Sequence, residues 1–146
     1  MARARTEADV DPDRFVAAQA QVWPGPLDEI RAGRKVSHWM WFVFPQLATL
    51  GRSDTARYYG LAGVDEAAAY LAHPVLGPRL VAISTALLAH RGTPAETILG
   101  KVDALKLRSS MTLFERVPGA PPVFGAVLDA FHSGERCPTT RAETAG

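Results

Sequence analysis

The chain has little of several features that would point to a particular function. Its only cysteine, Cys137, has no partner for an internal disulfide and cannot form a multi-cysteine metal site. No apolar run approaches the roughly 20 residues that a membrane span needs, and the N-terminal residues MARAR lack the hydrophobic core of a signal peptide. We therefore expect a cytoplasmic protein with no membrane partner.

The net charge and the positions of glycine and histidine argue against several further classes of function. A net charge of +1 gives no general attraction to polyanions, which argues against nucleic acid as a partner. The glycines stand singly rather than in a phosphate-binding loop, and the histidines lack the spacing of a zinc site. We expect no metal and no cofactor.

The composition is that of a folded protein. With 47% hydrophobic and 21% charged residues, a chain of 146 residues has the size and composition of one soluble domain with its own core. Both ends lack hydrophobic periodicity. We predict a disordered tail over residues 1–10, a helical domain over 11–134 and a flexible tail over 135–146.

Helix signals recur along the chain, and strand signals do not. A stripe of apolar residues at helical spacing consists of Leu76, Leu80, Ile83 and Leu87. Residues suited to begin helices are Asp11, Asp65, Thr93 and Asp103. The sequence predicts an all-α fold, a compact single-domain bundle of about seven helices.

The most unusual segment is SHWMWFVFPQL, residues 37–47, which contains two of the three tryptophans. We interpret it as a short buried helix capped by Ser37 and ended before Pro45, because a residue that precedes proline leaves the helical region. A core helix is the simpler explanation. However, indole N–H groups need hydrogen-bond partners, and the neighbouring His38 and Gln46 indicate a polar edge such as a pocket wall.

A second segment combines cations with hydroxyls inside a predicted helix. Lys106 and Arg108 are followed by Ser109, Ser110 and Thr112, which are mediocre helix formers. Small hydroxyl side chains could let another helix pack closely. The alternative is an anion cradle in which a cation neutralises a phosphate or carboxylate and the hydroxyls donate hydrogen bonds to it.

Four segments also carry a resemblance to a known family. They are RFVAAQ at 14–19, GRKVSHWMWFVFPQL at 33–47, YLAHPVLGPRL at 70–80 and KLRSSMTLF at 106–114. Over residues 11–134 the chain resembles the bacterial proteins grouped as domain of unknown function 1810, sometimes mislabelled calpastatin. The resemblance implies a mainly helical fold and no reaction. The calpastatin label fits poorly, since such inhibitors are disordered.

Two acidic positions of that family pattern are missing. Ala104 stands where the family usually has a second aspartate before the KLRSS run, and Cys137 replaces an aspartate near the C-terminus. The resemblance therefore does not imply a function that needs those two carboxylates.

The sequence thus predicts one pocket where the two unusual segments meet. Its predicted ligand-binding residues are Lys35, Ser37, His38, Trp39, Trp41, Gln46, Lys106, Arg108, Ser109, Ser110 and Thr112. The predicted partner is a small anionic, nucleotide-like ligand. The alternatives are a hydrolase or lyase acting on a nucleotide-derived or ADP-ribose-linked substrate, with His38 as the candidate base, and a protein–protein interaction module. Whether the protein is an enzyme and its oligomeric state stay open.

Overall fold

The computed structural model describes residues 12–145, and all regular secondary structure in that range is helical. The only β-type pairing there is an isolated bridge between Leu47 and Leu61. The helices are α1 (Asp13–Ala20), α2 (Gly25–Arg31), α3 (Met40–Val43), a 3-10 helix (Ala48–Leu50), α4 (Asp54–Tyr58), α5 (Val64–Ala72), α6 (Leu76–Leu88), α7 (Ala95–Leu99), α8 (Lys101–Glu115), α9 (Val123–His132) and α10 (Pro138–Glu143). The all-α prediction is confirmed.

The described chain has ten α-helices rather than about seven, because several are too short to show a helical period. Helices α3, α4, α7 and α10 have four to six residues each. Helix α10 lies in the segment for which we predicted a flexible tail, and both Cys137 and Thr140 are buried there. The predicted N-terminal tail and the proposed cap Asp11 lie outside the described residues.

Helix α8 occupies the centre of the fold and packs against α5, α7, α9 and α10. Its residues Leu107, Met111 and Phe114 are fully buried. The helix begins at Lys101 and not after Asp103, because Gly100 adopts a φ of 88° that separates α7 from α8. Asp103 is therefore free to contact a neighbouring segment.

The predicted apolar stripe of α6 is confirmed, since all four of its residues are buried against the core. Helix α6 also packs on α2, α5 and α9. A β-carbon at Gly77 would clash with the carbonyl oxygen of Leu71, so glycine is what allows α5 and α6 to approach at this corner.

Helix α3 confirms the expected short buried helix, but Ser37 does not cap it. The helix begins after Trp39, and Ser37 contacts a different partner. Buried side chains of α1 and α5 donate hydrogen bonds to a carbonyl group at the C-terminal end of α3. Gln19 Nε2 donates to Phe42 O at 2.8 Å, and the Tyr70 hydroxyl lies 3.1 Å from the same oxygen. These bonds allow a four-residue helix to sit inside the core.

Residues 48–60 form a loop whose two ends lie next to each other and are joined by backbone hydrogen bonds. Ala48 N donates to Leu61 O at 2.8 Å, and Leu61 N donates to Gln46 O at 2.9 Å. A β-carbon at Gly60 would overlap Ala48, so the absence of a side chain there lets the two ends close. The loop carries the 3-10 helix and α4 and stands beside α8.

Candidate functional site

The two segments singled out in the sequence do meet in the structure. Lys35 Nζ lies 2.9 Å from Asp103 Oδ2 on α8, and Lys106 Nζ lies over the Trp41 ring, 5.3 Å from its centroid. Gln46 lines the same cavity as Lys106. The contact therefore runs through Lys35, Trp41 and Gln46 rather than through Ser37 and His38.

Between α8 and the 48–60 loop lies an open cavity of about 570 Å³, which we call the α8 cleft. One wall consists of Val102, Leu105, Lys106, Arg108 and Ser109 from α8. The opposite wall consists of Gln46, Leu50, Arg52, Ser53 and Ala56. A cavity of this volume is within the usual range for small-molecule sites.

The charged side chains that line the α8 cleft are Arg52, Lys106 and Arg108, with no carboxylate among the lining residues that the structure describes. Lys106 Nζ is 3.8 Å from Asp103 Oδ1, but Asp103 is already paired more closely with Lys35. The Nε atom of Arg108 is buried and has no hydrogen-bond partner within residues 12–145. The cleft therefore carries uncompensated positive charge.

Neutral donors accompany these cations. The side-chain amide of Gln46 lies in one wall, and the Ser53 hydroxyl accepts a bond from Ala56 N at 3.1 Å, which leaves its own hydrogen available. Ser109 also lines the cleft, but its hydroxyl already donates to Leu105 O at 3.2 Å, so the available neutral donors are Gln46 and Ser53.

The other two predicted hydroxyl residues, Ser110 and Thr112, are buried in the protein and do not line the cleft. Ser110 is fully buried and outside the cleft lining. Thr112 Oγ1 donates to Arg108 O at 2.7 Å and accepts from Cys137 N at 3.0 Å, so it joins α8 to the start of α10. These two residues follow the packing interpretation rather than the anion-cradle interpretation.

The two positions that depart from the family pattern are both buried. Ala104 and Cys137 are 3% and 6% exposed, and neither lines the cleft. Burial raises the pKa of the Cys137 thiol, but hydrogen bonds with Ser109 and with the first turn of α10 outweigh it, so the pKa falls below its usual value.

The tryptophans lie beside the cleft and do not line it. Trp39 is 1% exposed, and its indole N–H donates to Glu29 Oε1 at 3.0 Å. Trp41 is half-buried, with Lys106 against its face. The lining thus combines aliphatic, cationic and neutral polar side chains, without the two tryptophans that the sequence analysis placed among the ligand-binding residues.

Ser37 and His38 lie in an exposed loop that Glu29 holds in place. The Glu29 carboxylate accepts from Ser37 Oγ at 2.6 Å, from Ser37 N at 3.0 Å and from Val36 N at 2.7 Å. Within the described range no carboxylate orients His38, and its imidazole is exposed outside the cleft lining. The geometry that a histidine base needs is not present.

Arg108 also acts on a histidine of α9. Burial lowers the pKa of His132, and the nearby Arg108 charge lowers it further. The nearby Glu135 opposes this shift only in part. The lowered pKa keeps His132 neutral at neutral pH, so this histidine adds no second positive charge beside Arg108.

Residues 12–145 contain neither a metal-binding cluster nor a single helix that could span a membrane. Among residues 12–145, no group of three or more His, Cys, Asp or Glu side chains could hold a metal ion. No single helix of that range is long and apolar enough to cross a membrane, although α5 and α6 meet the length and composition together across a 92° bend.

Fold and site together define an all-α protein with one cationic cleft beside its central helix. The chain belongs to the family described as "Protein of unknown function (DUF1810)", whose model matches residues 9–144. A similar solved structure is that of the conserved hypothetical protein Rv1873 from Mycobacterium tuberculosis, with 47% identity and a TM-score of 0.91. The match covers 94% of this chain and 98% of that one. No curated protein matches the chain.

Proposed function

We propose that this protein binds a small organic anion, of about the size of a nucleotide, in the α8 cleft. The observation that carries the proposal is the charge of the cleft. Arg52 stands on one wall and Arg108 and Lys106 on the other, without a carboxylate among the described lining residues. Charge-assisted hydrogen bonds from guanidinium groups to phosphate or carboxylate are roughly twice as strong as neutral ones.

The geometry supports an anion held between the walls rather than on a surface. Arg52 and Arg108 come from opposite sides, so one ligand can contact both planar forks. Gln46 and Ser53 supply neutral donors on the loop side. No ion pair within the described part of the chain engages either arginine.

We propose binding rather than hydrolysis or lyase chemistry. A base would need an orienting partner and a place beside the ligand. His38 has neither, since it is exposed and lies outside the cleft lining. The described lining offers donors and cations, which suits recognition of a negatively charged group.

The test is a set of binding titrations with pyrophosphate and ADP. Binding is measured by calorimetry and by the fluorescence of Trp41, which lies beside Lys106. Arg52→Met and Arg108→Met each remove one charge-assisted contact, so we expect affinity to fall roughly tenfold to a hundredfold. Arg91→Met, a matched change at an exposed arginine outside the cleft, should bind as the wild type does.

Melting temperature distinguishes a binding role from a structural one. If the arginines serve binding, the variants melt close to the wild type but show a smaller ligand-induced rise in melting temperature. Variants that melt early and bind both probes normally would contradict the proposal, because their arginines would then serve stability alone.

A further inference from the structure

The α8 cleft contains exposed apolar side chains as well as cations. Val102 is 66% exposed and Leu105 is 54% exposed, and both lie in the first half of α8. The other large apolar residues along this helix, such as Leu107 and Met111, are fully buried. Leu50 faces them from the opposite wall.

Val102 and Leu105 together form one exposed apolar surface inside the cleft. A single exposed hydrophobic residue needs no explanation, but neighbouring ones inside a cavity mark surface that another molecule can cover. Val102 and Leu105 are three residues apart, so they lie on the same face of the helix. They line the same cavity as Arg52 and Arg108.

Apolar and cationic groups are separated along the helix axis. Val102 and Leu105 come first, and Arg108 and Ser109 follow toward the C-terminal end of the cavity. From Val102 to Ser109 the axis rises about 10 Å, which is the length of a small organic phosphate. Lys106 lies between the two ends, against Trp41.

We infer that the ligand of the α8 cleft is amphiphilic, with a phosphate group joined to a compact apolar body such as a nucleobase or a short hydrocarbon. The inference rests on the proposed function of the cleft as an anion site. The phosphate lies between Arg52 and Arg108, and the apolar body covers Val102 and Leu105. Removal of this apolar surface from water adds to the affinity that the charges supply.

The test compares probes that share a head group and differ in the apolar body. ADP is compared with pyrophosphate, and octyl phosphate with methyl phosphate, by calorimetry on the full chain. Val102→Asn and Leu105→Asn should weaken ADP or octyl phosphate about threefold to tenfold and leave the two small probes unchanged. Val36→Asn is the matched control, since Val36 is 72% exposed and outside the cleft.

Each outcome separates this inference from the proposed function. A gain for ADP that the asparagine variants remove supports a nucleobase as the apolar body, and the same pattern for octyl phosphate alone supports a hydrocarbon. If the larger probes bind no tighter than the small ones and the asparagine variants are inert, the inference is overturned while the anion site stands. If no probe binds at all, the proposed function falls, and the inference falls with it.

Discussion

At the scale of single residues, Glu29 accepts four hydrogen bonds from the unusual aromatic segment and the residue just before it. Its carboxylate accepts hydrogen bonds from the backbone of Val36 and Ser37, from the Ser37 hydroxyl and from the indole of Trp39. Partial burial raises the pKa of Glu29, but these hydrogen bonds outweigh it and lower the pKa from 4.5 to about 2. The ionised form is therefore the one that stabilises the loop.

Replacing Glu29 by glutamine tests this role. Glu29→Gln keeps the shape but removes the charge, and because solvent screens the site we expect unfolding free energy to fall by about 1–2 kcal/mol at neutral pH. Chemical denaturation at several pH values measures it. Because the folded pKa is depressed, the difference from wild type should be complete above pH 4.5 and should shrink as pH falls toward 2.

Glu96→Gln is the control, since Glu96 is exposed on α7 and should show only a small, dipole-related effect. A Glu29→Gln deficit that stays constant from pH 7 to pH 2 would contradict the account, because it could not come from ionised Glu29.

No pattern in the amino-acid sequence indicates the role of Glu29. It lies between Leu27 and Ile30 on a short amphipathic helix, where a glutamate normally faces solvent. Its partners are seven to ten residues further along, in a segment without regular structure. By contrast, the need of a tryptophan for an indole partner was readable from residue type alone, and Trp39 confirms it.

At the scale of elements, α8 combines a face in the core with a face that lines the cleft. Leu107, Met111 and Phe114 hold the centre of the bundle, while Lys106 and Arg108 face the cleft. Arg108 also lowers the pKa of His132 on α9, after the larger effect of burial. The effect of the Arg108 charge can therefore be measured through the pKa of His132.

An Arg108→Met variant should raise the pKa of His132 because one of the two causes that lower it is removed. The pKa should stay below the ordinary value of 6.5, since burial remains. Titration of the imidazole C–H signals by NMR measures the change. Pyrophosphate added to the wild type should act in the same direction, because an anion beside Arg108 offsets its charge.

Lys101→Met, which removes an exposed cation from the first turn of the same helix, should leave the pKa of His132 nearly unchanged. If Arg108→Met and Lys101→Met give the same value as the wild type, the Arg108 charge does not act on His132.

The longer elements were predictable, and the short ones were not. Helices α6 and α8 have 13 and 15 residues, long enough for apolar periodicity to place their buried faces. The 48–60 loop has no such period, and its position depends on the pairing of Leu47 with Leu61. Arg52 and Leu50 were missed for that reason, since their approach to α8 is a long-range consequence of loop closure.

At the scale of the whole molecule, the aromatic segment packs against α8, the helix that contains the second segment, but the residues that make the contact differ from the predicted ones. Lys35 and Trp41 fasten the aromatic segment to α8, while Gln46 reaches the cleft. The second wall comes from a loop with no distinguishing motif. The cavity exists only once both walls are assembled, which is why its lining could be predicted only in part.

The most direct test of the central claim is the position of a bound anion. Crystals grown or soaked with tungstate, a heavy analogue of phosphate, locate the anion by its anomalous scattering. We predict a peak within hydrogen-bond distance, about 3 Å, of the Arg52 or Arg108 guanidinium, and its loss in the Arg52→Met, Arg108→Met double variant. A cleft without a peak under conditions where tungstate binds elsewhere on the protein, or a peak that the double variant retains, would contradict the account.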